Sequence, residues 1–576
     1  MSFQNSHHFV IQNSTFNDIA GDFNQVIAES AFHNSSERHP PPKCHPDTRN
    51  LILDIIRDWA THPIADISAL WLYGPAGAGK TAIAQTVSEE LADQNRLAAS
   101  FFFSRGKERR SSCRHLIPSL AFQLALSMPK LRTPIQNVVD VDPSIFDKPL
   151  RLQTQKLLIE PCQDMMRREF QPMVVVIDGI DECEDITGQQ ELLLVVKDTL
   201  CRKDLPIRFL LASRPEPGIR RIFDQPAFTN VLRRIVLDEA FHPNSDIAIF
   251  LRSGFLTIRQ KHQDTMTSAP LIWPSQTVID HIVQKSSGQF IYASTVLKYV
   301  DDEYSRPHQR LEAILQIPSP CTTAFADLDQ LYLQILSANP HTDVLLQVLG
   351  TIVVLREPLC SYDLDMLLSL EEGDTLLAVK GLHSVLDVPH HDAPNMKWTP
   401  IKVLHASLFD FLRDKSRSGI YYVDVDKFHT ALTFSCFLWL KERHENSQRD
   451  GTASPINSES ALHFLYAIEN WDYHLSHSPP SHELMEQLKR LYIKEVTTFG
   501  LGKSSGNVLK WLETAGNQPG SQDLLTEWAS YYTASQSKPE PNSIIQLRSE
   551  RICQSAGFLQ PTVEEGRRFV RMSLFH

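Results

Sequence analysis

Apolar positions along the chain fall into two kinds of run. Short apolar stretches, Ala69 to Tyr73, Ala98 to Phe103, Met173 to Ile177 and Phe209 to Ala212, have the length of strands buried on both faces. Between them the apolar residues adopt helical spacing. Leu51, Ile52, Ile55, Ile56 and Trp59 share one face, Ile83, Val87 and Leu91 recur four apart, and similar patterns cover Leu116 to Leu126 and Leu192 to Leu200. This alternation predicts an α/β core, a parallel sheet flanked by helices. Beyond about residue 225 the strand signal thins, and spacings such as Leu328, Leu331, Tyr332, Ile335, Leu336 predict packed helices. One short strand-like run, Ile401 to Leu404, interrupts them and leads into a helical stretch, Ser407 to Leu412.

The first 36 residues are rich in Asn, Ser and His. Phe16, Ile19, Phe23, Val26 and Ile27 are spaced as on an amphipathic helix. The Asn and Ser residues between them favour turns, so a flexible leader over 1–40 is expected, closed by the linker Pro40-Pro41-Pro42. Polar stretches at Glu445 to Ser460, Gly516 to Gln522 and Ser535 to Asn542 read as loops.

With 576 residues the chain has room for roughly three or four domains. Its net charge of -12 gives no global attraction to phosphate backbones, and the clusters Arg105 to Arg110 and Arg233-Arg234 read as solvated surface. Nucleic acid is therefore not expected as a partner. The nine cysteines are scattered without a CxxC pair, which predicts reduced thiols. No secretory signal pattern opens the chain, and the longest apolar run, Val344 to Leu355, is too short for a bilayer. A cytoplasmic protein with no integral membrane segment is expected.

Candidate chemistry begins at Gly74-Pro75-Ala76-Gly77-Ala78-Gly79-Lys80-Thr81, which fits GxxxxGK[ST] between a predicted buried strand and an amphipathic helix. Glycines let backbone N–H groups curl around phosphate, and the helix N-terminus adds positive potential. Lys80 neutralises β and γ oxygens, and Thr81 ligates Mg²⁺. The bland alternative, a glycine-rich turn, explains neither the strand before nor the helix after.

The second element, Met173 to Ile177 followed by Asp178, Asp181 and Glu182, puts carboxylates at the end of a strand. Asp178 is the metal-side candidate. Asp181 and Glu182 are both candidates to orient or deprotonate an attacking water, and an acidic helix cap is the structural alternative. The third element is Arg208 to Ser213 followed by Arg214, a strand ending in a cation that could reach a γ-phosphate, or make an ordinary ion pair. His7-His8 and His390-His391 lack partners at ligand spacing, and neither G-x-S-x-G nor H-E-x-x-H occurs.

Together WLYGPAGAGKT (71–81), VVVIDGIDEC (174–183) and FLLASRPEP (209–217) resemble the NACHT NTPases of the STAND class, in particular fungal NACHT proteins and nephrocystin-3-like N-terminal domains. The resemblance continues through KSSGQFIYAS (285–294) and LHASLFDFL (404–412). It implies an NTPase domain over 41–225, a small helical domain over 226–320, a winged-helix-like domain over 321–425 and a helical region over 426–576. It further implies ATP/ADP and Mg²⁺ as ligands, with His405 on the β-phosphate of ADP. The function implied is a nucleotide switch, closed with ADP and open with ATP, that forms a homo-oligomer on activation, signals to a downstream protein and hydrolyses ATP slowly in a self-defence setting. Two readings of other classes stay open beside it, a constitutive ATPase or P-loop kinase, and a scaffold stabilised by nucleotide. ATP is preferred to GTP on the resemblance alone.

Overall fold

The structure, a computed structural model, describes Phe23 and residues 26–529 apart from 63–66, 106, 108, 164–171, 201–206, 268, 269, 271, 304, 317–325, 390–398, 451–461, 491–504, 516–520, 522 and 527. His7-His8, His390-His391, the loop expected at 535–542 and most of those at 445–460 and 516–522 lie outside the described residues. The described residues divide into two compact units, one within 23–253 and 279–293, the other within 254–278 and 294–529.

The first unit is built on five parallel strands, β1 (Ala69–Tyr73), β2 (Leu97–Phe102), β3 (Met173–Asp178), β4 (Ile207–Ser213) and β5 (Leu232–Val236), in the order β2-β3-β4-β1-β5. Both faces are covered, so four of the strands read as predominantly apolar runs. On one face Leu70, Leu72, Val174, Val176, Leu210 and Ala212 pack with α1 (Asn50–Thr61) and α2 (Lys80–Asp93) through Ile52, Ile56, Ile83, Val87 and Leu91. On the other, Trp71, Phe101, Val175, Ile177, Phe209 and Leu211 meet α3 (Leu116–Ser127), α4 (Pro129–Val141) and α5 (Ile186–Leu200). Alternate residues of each strand serve opposite faces, as the pleat requires.

Strand β5 was not expected. It is an edge strand whose two central residues, Arg233 and Arg234, are exposed, and that charge pair conceals the strand in the sequence. Arg234 is also no simple surface charge: its guanidinium donates to the Phe223 carbonyl and pairs with Asp224.

The expected flexible leader is corrected over its described part, Phe23 and the strap that runs from residue 26 to 40. Phe23, Ile27, Ala28 and Ala31 are buried in the core against α3 and the turn at Phe146. Phe23 lies 5.0 Å from Phe146 and 5.9 Å from Phe122 between ring centroids. The strap is also hydrogen-bonded to the domain: Ala28 N–H donates to Ser119 Oγ, His33 N–H to Ser100 Oγ, and Gln85 Nε2 to the His33 carbonyl. Its apolar residues have a partner surface about a hundred residues away, which local composition does not reveal.

The second unit is helical. Its C-terminal core joins α6 (Val425–Asp450), α7 (Leu462–Ser476), α8 (His482–Arg490) and α9 (Ser505–Ala515) through Phe437, Leu465, Trp471, Leu484, Trp511 and Trp528. Helix α6 runs on through Glu445 to Asp450, where a loop was expected, because Glu, Arg and Gln support helix without an apolar face. Earlier in this unit the strand-like run becomes Lys402–Val403, paired antiparallel with Leu386–Asp387, and is followed by a helix over Ala406–Leu412. Among the described residues no helix is long and apolar enough to cross a membrane.

Candidate functional site

The loop Gly74–Gly79 joins the carboxyl end of β1 to the first turn of α2. Two of its glycines are required by geometry. Gly77 has φ +77° and Gly79 has φ +90°, both left-handed. A Cβ on Gly77 would also stand 2.1 Å from Cγ2 of Ile291, whose N–H donates to the Gly77 carbonyl at 3.3 Å. The KSSGQFIYAS segment therefore closes on the loop, so Ile291 joins the site although its apolar side chain offered no chemical reason to select it.

Lys80 begins α2, and its ammonium donates to the carbonyls of Gly74 and Pro75, both at 2.9 Å. Burial lowers its pKa, against the charges of Asp181 and Asp178. A second cation supports the loop from behind. Arg49, 4% exposed, donates from Nη2 to the Ala78 carbonyl at 2.8 Å and lies over the Phe290 ring.

Asp178 ends β3 and is 3% exposed. The Thr81 hydroxyl is close enough to its carboxylate to favour the charged form, while Oδ1 has no partner. Burial raises its pKa to about 6, with Thr81, Arg38 and Lys80 pulling the other way. A buried carboxylate oxygen left unpaired beside a threonine hydroxyl is costly. It is answered by a hard divalent cation, so the donor set fits Mg²⁺.

Strand β4 lies between β1 and β3, so Arg214, which follows it, emerges between the loop and Asp178. Trp71 Nε1–H donates to Ser213 Oγ at 2.9 Å and ties the strand ends together. Arg214 is clamped to Asp181, whose Oδ1 accepts its N–H at 2.8 Å while Oδ2 lies 3.1 Å from its Nε. This separates the two carboxylates that the sequence left equivalent. Asp181 has both oxygens committed to one arginine. Glu182 accepts the Arg105 N–H at 3.2 Å, and burial, aided by the charges of Asp181 and Asp178, raises its pKa to about 7.

Gly74 to Thr81, Asp178, Asp181, Glu182 and Arg214 are thus brought to one end of the sheet. His405 belongs to the second unit, where its Nδ1 caps the following helix by accepting the Ser407 N–H at 3.1 Å. The cluster Arg105 to Arg110 is corrected in part, since Arg110 is buried and Arg105 half-buried while Arg109 stays at the exposed surface. Arg105 Nη2 donates to the Asp181 carbonyl, Arg109 to that of Ile27 and Arg110 to that of Phe102. Arg38 packs 3.6 Å over the Phe102 ring, beside the strand position that pairs with Asp178. The signal for these arginines was their place just after β2 and within the strap.

A family model described as Nephrocystin 3, N-terminal, matches residues 48–214, the stretch that carries the loop and both acidic and arginine strand ends. The first unit is a P-loop-like α/β domain. No curated protein matches the chain. Among solved structures, similarity extends to Drosophila ORC bound to poly(dA/dT) DNA and Cdc6, at 12% identity over 99% of this chain and 82% of that one, TM-score 0.24. It extends likewise to Drosophila ORC bound to GC-rich DNA and Cdc6 (12%, 100% and 76%, TM-score 0.24) and to Drosophila ORC bound to DNA (12%, 94% and 85%, TM-score 0.23). These TM-scores are too low to carry an argument about this chain. The exclusion of nucleic acid is withdrawn all the same, because it rested on the net charge of the whole chain. A whole-chain charge says nothing of a local surface.

Proposed function

We propose that the chain is a nucleotide-dependent switch that binds ATP or ADP with Mg²⁺ through Gly74 to Thr81 and hydrolyses ATP slowly. The observation that carries this reading is the convergence of a left-handed glycine loop at a helix N-terminus with an unpaired buried Asp178 oxygen and a clamped Arg214. Loop N–H groups and Lys80 bind the phosphates, Lys80 exchanging two loop carbonyls for phosphate oxygens. Thr81 and Asp178 would hold Mg²⁺, which when bound would supply positive charge to the phosphates. Glu182, near neutrality in pKa, takes the proton of the attacking water, and Asp181 orients Arg214 towards the γ-phosphate. A switch needs ATP and ADP to favour different conformations. Arg214 would respond to the γ-phosphate, and the NACHT resemblance assigns His405 to the β-phosphate of ADP. On that resemblance the setting is STAND-type signalling.

The test is to purify the full chain, identify the nucleotide it carries and measure turnover, with Lys80→Ala as control. Bound ADP and turnover below about one per minute, the regime of unassisted P-loop switches, are expected. Lys80→Ala should carry no nucleotide. Fast turnover with freely exchanging ADP would replace the switch by a constitutive enzyme, and equal nucleotide content in Lys80→Ala would remove the site altogether.

A further inference from the structure

Two cysteines, 70 residues apart in sequence, meet beside the acidic loop. Cys183 directly follows Glu182, and Cys113 opens the short turn Cys113–His115 that leads into α3. Their Sγ atoms lie 2.8 Å apart. Both residues are buried, at 2% exposed for Cys113 and 5% for Cys183. The two segments are already registered through the backbone, since Glu184 N–H donates to the Ser111 carbonyl at 2.9 Å. Packing around them is close: a Cβ on Gly188 would stand 3.4 Å from the Cys113 Cβ. Among the described residues the other cysteines, at 44, 162, 360 and 436, make no such sulfur pair, and burial pushes their thiols towards the protonated form.

We propose that Cys113 and Cys183 form a redox-active dithiol that hydrogen peroxide converts to an intramolecular disulfide, tethering the Asp181-Glu182 loop to the start of α3. The roles of the two sulfurs differ. The hydrogen bond the two sulfurs share lowers the Cys183 pKa and raises that of Cys113, so Cys183 is the sulfur that attacks. Its thiolate displaces hydroxide from peroxide, breaking the O–O bond and giving a sulfenic acid; the hydroxide takes a proton and leaves as water. Cys113 sulfur then attacks Cys183 sulfur, the S–O bond breaks, and the departing hydroxide leaves as water with the Cys113 proton. Two thiols lose two electrons and two protons, and peroxide is reduced to two waters. Burial disfavours a bulky disulfide such as oxidised glutathione more than it does a small oxidant.

The effect on nucleotide chemistry rests on the function proposed above. Glu182 and Asp181 lie in the residues immediately before Cys183, so a covalent tether there restricts the groups that hold water and Arg214.

The experiment treats the full reduced chain with hydrogen peroxide, alkylates remaining thiols under denaturing conditions and maps peptides by mass. In the wild type a cross-linked peptide pair containing Cys113 and Cys183 is expected, reversed by dithiothreitol. In Cys113→Ser, Cys183 should be trapped as a sulfenic acid by dimedone, whereas in Cys183→Ser, Cys113 should stay alkylatable. Complete alkylation of both cysteines in the treated wild type overturns the dithiol, and this arm needs no variant to fold. Turnover of the oxidised wild type should fall by about tenfold or more against the reduced form, as expected for displaced catalytic groups, with Cys113→Ser/Cys183→Ser insensitive to peroxide. A disulfide with unchanged turnover overturns the coupling. A disulfide in a chain that binds no nucleotide leaves the dithiol standing and sinks the proposed function instead.

Discussion

Glu182 and Asp181 are adjacent, identical in charge and indistinguishable by spacing, yet their surroundings assign them different chemistry. Arg214 occupies both Asp181 oxygens, while Glu182 is held near neutrality by burial. Glu182→Gln should therefore keep nucleotide binding and lose turnover by on the order of a hundredfold or more, the usual contribution of a general base. Single-turnover hydrolysis with bound nucleotide quantified separately is the check, and an unaltered rate would remove Glu182 from the role. Wild-type turnover should rise with pH through about 7, where the carboxyl ionises.

The same residue makes a stability prediction with a definite sign. Its pKa is raised in the fold, from 4.5 to about 7, so the folded chain binds this proton more tightly than the unfolded one. That stabilisation is complete below about pH 4.5 and is lost as pH rises through about 7. Glu182→Gln cannot ionise and escapes the loss. Without nucleotide, its stability relative to wild type should improve from acid to about pH 8 by on the order of 2 kcal/mol, read from urea midpoints. The sequence showed the presence of Gly74 to Thr81, Asp178 and Arg214 because strand, loop and charge are neighbours along the chain. It could not rank Asp181 against Glu182, because Arg214 and Arg105 reach them from other strand ends.

At the scale of elements, the runs at β1 to β4 were legible because burial on both faces leaves few polar positions within them. Strand β5 was not, since an edge position tolerates Arg233 and Arg234. The strap is the more instructive miss. Phe23, Val26 and Ile27 announce an apolar face, but the surface that receives it belongs to α3 and Phe146. Because Ile27 is 1% exposed, Ile27→Ala should destabilise the first unit by about 3 kcal/mol, the usual cost of such a core truncation. A urea midpoint unchanged from wild type would restore the flexible leader.

At the scale of the whole chain, each unit has its own apolar core, which is the condition for a domain to unfold as its own cooperative step. Two calorimetric transitions are therefore expected. A ligand that binds only one folded unit stabilises only that unit, by about 2.7 kcal/mol at a hundred times its Kd. Mg²⁺-ADP should raise the transition of the first unit, and Lys80→Ala should abolish the rise. The second transition then decides what His405 does. If His405 only caps its helix, nucleotide leaves that transition where it was, and His405→Asn, which retains a capping side chain, changes nothing. If His405 also reads ADP, the second transition rises with the first, and His405→Asn removes that rise while leaving the transition without nucleotide in place. A cap interaction is local and a ligand contact is not, so one pair of scans distinguishes them.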